Sequence, residues 1–177
     1  MQSVSWIDLP GKDLNRFDLV VLDGRLFMLL GDATGHGFGP ALSATQMQAM
    51  LRVAFRVGAD LDQAYAQVNN QLAEDLPDDR FITAFIGFLD PDTHLVSYHS
   101  GGQGPILHFR AADGTCDWHK PTSFPVGSME LTDRPEAASL QLEPGDIVYV
   151  PPTGLIKWAR IINSIMPTIQ ALQLGII

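Results

Sequence analysis

The residues best suited to chemistry lie in one short segment, Gly31-Asp32-Ala33-Thr34-Gly35-His36-Gly37. An aspartate at the end of a strand, ahead of a glycine-rich turn and a helix, sets a carboxylate at an exposed rim. The small residues around it let backbone carbonyls approach a ligand. Mg²⁺ and Mn²⁺ prefer oxygen donors of this kind and keep several waters. A water bridging two such ions can lose a proton near neutral pH and attack phosphorus in line. An aspartate before a glycine-rich turn also serves as an ordinary turn residue, so the segment alone leaves both roles open.

The elements around the segment follow from pattern. Phe17 to Leu22 and Arg25 to Leu30 are apolar runs separated by Asp23-Gly24, a strong hairpin signal. The second run leads straight into Gly31-Asp32. Pro40 suits a first helical turn, where its missing N–H costs nothing. From Ala41 to Val57, apolar residues recur at helical spacing, and Gly58 is a stop signal. A second helix is announced by Asp60 as N-cap with Gln63 three residues on, and by Leu61, Ala64, Tyr65, Val68 and Leu72 on one face.

Beyond Pro77-Asp78-Asp79 the period changes. Phe81 to Leu89 reads as a buried strand, followed by a turn at Asp90-Pro91-Asp92 and a strand from Leu95 to His99. Gly101 to Pro105 connects tightly into Ile106 to Phe109, and Asp113-Gly114 turns the chain again. Ser139 to Leu142 and Ile147 to Val150 flank Glu143-Pro144-Gly145-Asp146, which predicts another hairpin. Hairpin, two long helices and several antiparallel strands together make an α+β pattern.

Composition excludes several classes. The 177 residues suit one domain with a sizeable core, and 46% are apolar, so the chain is globular. Acidic side chains outnumber basic ones 20 to 11, for a net charge of −9. That argues against nucleic-acid binding and suits a soluble cytoplasmic protein. It also suits carboxylates gathered around divalent cations. The one cysteine, Cys116, rules out an internal disulfide, and the five histidines lack zinc-motif spacing. Residues 1–9 have no basic stretch and no apolar run, so no secretory leader is expected. Ile161 to Ile177 is apolar and uncharged, but Pro167 and Gly175 interrupt it and it is short for a membrane span.

Taken in order, these pieces resemble a known family. GDATGHG, followed by a Pro-Ala-Leu helix start, resembles the GDVSGHG-x-x-A-A-L signature of the SpoIIE-like (RsbU-type) branch of bacterial metal-dependent (PPM) protein serine/threonine phosphatases. DRFITAFIGFLDPDTHLVSYHSGGQGPILHF (Asp79 to Phe109) is similar to that family's central strands and glycine-rich crossing. FPVGSME (Phe124 to Glu130) resembles its Pro-x-Gly segment, and LEPGDIVYV (Leu142 to Val150) the strand pair ahead of a further metal ligand. The likeness runs from about residue 10 to 156. It implies a PPM-type domain over residues 1–156, an α-β-β-α sandwich lacking its last helix and strand, and a divergent tail over 157–177.

The resemblance also implies a chemistry. Family members remove phosphate from phosphoserine or phosphothreonine with two or more Mn²⁺ or Mg²⁺ ions. Many act on a small anti-sigma-factor antagonist domain. By position Asp32 would bridge the ions and the Ala33 carbonyl would be a second ligand. Thr34, Gly35 and His36 would line the site, with local turn hydrogen bonding as the plainer role for Thr34 and His36.

Three departures stand out. Where the family has Gly-Gly-Asp-x-Tyr/Phe-Asp, with its first aspartate on metal, this chain reads Asp13-Leu14-Asn15-Arg16-Phe17-Asp18. Asn15 takes the ligand position as a neutral oxygen donor. Asp13 or Asp18 could substitute only through a strand slip that also flips faces, and either could equally be a solvated charge beside a strand. Where the family has Thr-Asp-Gly, this chain reads Pro152-Thr153-Gly154, a hydroxyl in place of a carboxylate. The tail from Ile161 contains no Asp or Glu, where the family has a final ligand. A missing edge strand would leave an open sheet edge and a route to a homodimer. The sequence therefore supports a metal-dependent phosphatase, or a catalytically impaired relative that binds a phosphorylated partner. An unrelated soluble α+β domain is the third reading.

Overall fold

The structure is a computed structural model, and it describes residues 16–35 and 37–151. The chain divides into two compact units. The first runs up to Gln103 and adds Pro121–Leu142. The second comprises Gly104–Lys120 and the residues from Glu143. The expected domain boundary at 156/157 and the tail lie outside the described residues.

The first unit holds strands β1 (Arg16–Leu22) and β2 (Arg25–Ala33), helices α1 (Phe38–Arg56) and α2 (Leu61–Asp75), and strands β3 (Ile82–Asp90), β4 (Leu95–Gly101) and β7 (Ala138–Gln141). Its antiparallel sheet has the order β1-β2-β3-β4-β7. Asp23-Gly24 closes the first hairpin as expected, with Leu22 opposite Arg25 and both turn residues at positive φ.

Strand alternation decides what lies on each face. Phe27, Leu29, Ala33, Ile82, Ala84, Ile86 and Phe88 share the face that carries the helices, and they form one core with Ala44, Met47, Leu51, Tyr65, Val68 and Leu72. Phe27, Phe55 and Phe88 meet with ring centroids 5.0 to 5.4 Å apart. Gly31 leaves room for Met47 of α1, since a Cβ there would lie 2.6 Å from Met47 Cε and push that side chain aside. On the opposite face Thr83 and Phe85 are buried too, and Phe85 stacks on Tyr98 at 5.2 Å. This explains why β3 reads as a continuous apolar run rather than an alternation.

Helix α2 begins as the capping pattern predicts, with the Gln63 N–H donating to Asp60 Oδ1 at 2.8 Å. Helix α1 begins at Phe38, before the expected Ala41, so Pro40 sits inside its first turn.

The second unit is a three-stranded antiparallel sheet of β5 (Ile106–Phe109), β6 (Cys116–His119) and β8 (Ile147–Tyr149), in the order β6-β5-β8. Here one expectation is corrected. The Glu143 to Asp146 turn forms, with the Asp146 N–H donating to the Glu143 carbonyl, but its flanking strands do not pair with each other. β7 joins β4 and β8 joins β5. Local turn chemistry reverses the chain, while partner choice was made by non-local pairing such as Val96 opposite Leu140. The mixed α+β class stands, with two antiparallel sheets and two helices.

Candidate functional site

Asp32 is the penultimate residue of β2, opposite Thr83 of β3 and half-buried. By alternation it projects from the face opposite the helices, while its neighbours Gly31 and Ala33 face α1. The Thr83 hydroxyl donates to the Asp32 carbonyl at 3.3 Å. The chain then leaves the sheet through Thr34 and Gly35. Gly35 and Gly37 both adopt positive φ, 96° and 93°, a conformation that disfavours side chains. Gly37 caps α1 without a side-chain hydrogen bond.

Thr34 closes the turn onto the start of β3. Its N–H donates to the Phe81 carbonyl at 3.0 Å, and its hydroxyl oxygen accepts from the Phe81 N–H at 3.1 Å. The hydroxyl in turn reaches the Phe81 carbonyl at 3.2 Å. These bonds span 47 residues, so they are cross-strand contacts and not the turn-local bonding weighed for Thr34 in the sequence. They fasten the end of β2 across to the start of β3.

Asp18 lies elsewhere. It pairs opposite Leu29, which places it on the helix face, and it is 4% exposed. Both of its oxygens accept from Arg52 of α1, from Nε and Nη2 at 2.7 Å each. Such a bidentate pair is strong and directional. The register Arg16 opposite Gly31 shows no slip that would turn Asp18 to the Asp32 face. The structure therefore does not bring Asp18 and Asp32 together. Asp13, Asn15, His36 and Thr153 lie outside the described residues.

Two buried histidine–aspartate pairs were not legible in the sequence. His99 of β4 is fully buried, donates from Nε2 to Asp62 Oδ1 at 2.9 Å, and stacks on Tyr65 at 4.3 Å. Its Nδ1 has no hydrogen-bond partner among the described residues. Burial pushes the His99 pKa down, against the upward pull of Asp62. In the second unit, His108 Nε2 meets Asp146 Oδ2 at 2.9 Å. The Asp146 carboxylate also accepts from the Ala111 and Glu143 N–H groups, and these bonds together with His108 hold its pKa at about 2. Partners 37 and 38 residues apart leave no local signal.

Residues 22–159 match the family described as Stage II sporulation protein E (SpoIIE). The chain belongs to the SpoIIE family. Solved structures agree with this. The RsbU and RsbW domains of a Mycobacterium tuberculosis protein share 27% identity, with a TM-score of 0.65 over 82% of this chain and 40% of that one. The PP2C phosphatase domain of SpoIIE from Bacillus subtilis, with a fragment of its regulatory domain, gives 18% identity and a TM-score of 0.66 over 76% of this chain and 40% of that one. RsbX in complex with magnesium gives 16% identity and a TM-score of 0.62 over 81% and 69%. This SpoIIE-family chain thus has a PP2C-type fold and spans about two fifths of the length of the first two relatives.

Hard dications need several oxygen donors with enough negative charge among them. Among the described residues, no three His, Cys, Asp or Glu side chains come together as such a set. The Asp32 turn offers one carboxylate and backbone carbonyls. That donor chemistry fits a single Mg²⁺ or Mn²⁺ completed by water, and it is short of the charge that a pair of ions requires. No described helix is long and apolar enough to cross a membrane.

Proposed function

We propose that this chain is a protein serine/threonine phosphatase domain that hydrolyses phosphoserine or phosphothreonine on a regulatory partner protein of the anti-sigma-factor-antagonist type, in the cytoplasm. The observation that carries the reading is the Asp32 turn: a half-buried carboxylate at the end of β2, clamped to β3 through Thr34 and Phe81, in a SpoIIE-family chain. In this reading Asp32 and the Ala33 carbonyl hold Mn²⁺ or Mg²⁺, helped by Asn15 or Asp13, with Thr34, Gly35, His36 and Thr153 lining the site. The bound ion supplies an acidified water for attack on phosphorus. The contribution of the chain itself would be orientation, with the Thr34 clamp fixing the end of β2 that carries Asp32. The RsbU domain of a relative occurs with an RsbW domain, which suits a role among regulatory partners.

The test is hydrolysis of p-nitrophenyl phosphate with added Mn²⁺. Wild type should turn over in a metal-dependent way, and Asp32→Ala should abolish turnover with an unchanged melting temperature. A wild type that shows neither metal-dependent turnover nor calorimetric Mn²⁺ binding would sink the proposal.

A second reading has an observation in its favour. Asp18 is committed to Arg52, and Asn15 and Thr153 stand where carboxylates belong in the family. A site so short of charge suits a binding module that recognises a phosphorylated partner without hydrolysing it. That reading expects measurable affinity for a phosphorylated antagonist domain and no release of phosphate from it.

A further inference from the structure

A second feature lies at the other end of β2. There the β1–β2 turn, the last turn of α1 and the start of α2 enclose an open groove of about 1120 Å³. At about 3.3 Å per residue, the strand from Arg25 to Asp32 spans roughly 23 Å, so the groove is remote from the Asp32 turn. Its apolar lining includes Leu22, Phe55 and Ala59, with Phe88 beneath Arg25, and its rim carries Arg25 and Arg56. The lips at Gly24 and Gly58 are unobstructed, since a Cβ at either would meet no atom within 4 Å.

The charges say what would fit. The chain is strongly acidic, at −9, and several of its described cations are tied to acids: Arg52 to Asp18, Arg110 to Asp117 and Arg134 to Asp60. Among the described residues, neither rim arginine is in such a pair. Arg25 lies over the Phe88 ring at 4.7 Å. It is near enough to Asp90 to influence it, and Asp90 Oδ1 also accepts from the Asp92 and Thr93 N–H groups. Of the two rim carboxylates, Asp60 is consumed by Arg134 and by the Gln63 N–H, which leaves Asp23. An apolar trough flanked by two arginines favours an occupant that carries both apolar and acidic groups. The uncharged tail from Ile161 to Ile177 has no Asp or Glu with which to meet them.

We infer that the groove between Arg25 and Arg56 is a docking site for an acidic peptide segment of a partner protein, anchored by an apolar side chain against Phe55 and Ala59. An open trough of this size suits an extended segment better than an enclosed metabolite. The arginines would supply charge-assisted hydrogen bonds to carboxylates, and the apolar floor would bury the anchor. This inference stands apart from the phosphatase reading, because it concerns binding at a different end of the sheet.

The test is selection of a phage-displayed random peptide library against the full chain at low salt. The selected consensus should combine an apolar residue with two or more Asp or Glu. Its Kd, measured by fluorescence anisotropy with the consensus peptide, should rise about tenfold or more in the Arg25→Gln, Arg56→Gln double variant. It should rise likewise in Ala59→Glu, which places a like charge on the floor, and in wild type at high salt. Melting curves of both variants check that they are folded. A consensus without acidic residues, no consensus, or an unchanged Kd in a folded double variant overturns the inference. So does a wild-type dimer in sedimentation that the double variant dissolves, since a second copy would then be the occupant.

Discussion

Asp18 and Asp32 are both acidic residues at strand positions flanking the same hairpin, yet they do opposite work. Asp18 is buried and gives both oxygens to Arg52, joining β1 to α1. Asp32 sits on the other face, at the rim. Removing the Asp18 carboxylate takes two charge-assisted hydrogen bonds from a partly buried guanidinium. Because Arg52 is about a third exposed, water offsets part of that loss, and Asp18→Ala should cost about 2 kcal/mol. Denaturant unfolding measures it. The same variant should leave Mn²⁺ affinity unchanged, whereas Asp32→Ala should do the reverse and leave stability nearly intact. An Asp18→Ala protein of full stability that loses metal would return Asp18 to the metal site.

At the scale of elements, His99 ties the sheet to the second helix. Its imidazole bonds Asp62 in the first turn of α2 and stacks on Tyr65, and the Asp62 carboxylate also accepts from the Ala137 N–H just before β7. Three elements therefore meet at a group that burial favours in its neutral form. The sign follows from proton linkage. A histidine with a lowered folded pKa is protonated first in the unfolded chain, so stability is complete above its ordinary value of 6.5 and falls as pH drops below it. The loss stops once the folded form is protonated as well. Melting temperature should decline as pH falls below about 6.5, and His99→Gln should flatten the slope. An equally steep slope in the variant would assign the effect to another group. Asp146 does not interfere, because its stabilisation is lost only as pH falls from about 3.8 towards about 2.

For the whole molecule, the issue is charge at one end of the first sheet. The family fold is present, but the described residues bring one candidate carboxylate to the turn. If the chain is limited by missing ligands rather than by its fold, restoring them should restore affinity. Asn15→Asp combined with Thr153→Asp should tighten Mn²⁺ binding by about tenfold or more, since each substitution replaces a neutral oxygen with a charged one. Calorimetry reads this directly. Unchanged affinity in the double variant would mean that these positions do not face the Asp32 turn.

Much of this protein was legible in its residues. The Asp23-Gly24 hairpin, the Asp60 cap, the apolar stripes of the two helices and the doubly buried β3 rest on local backbone chemistry and on periodicity, which a sequence carries in full. The motif order from Gly31 to Val150 carried the family. Tertiary structure alone decided the rest. It sent the strands on either side of the Glu143 to Asp146 turn into different sheets, because strand partners are chosen by non-local pairing. It bound Asp18 to Arg52, 34 residues away, and joined His99 to Asp62 across 37. A carboxylate in a sequence has no face. Only pairing register and helix packing assign one, and that assignment separates Asp32 at the rim from Asp18 in the core.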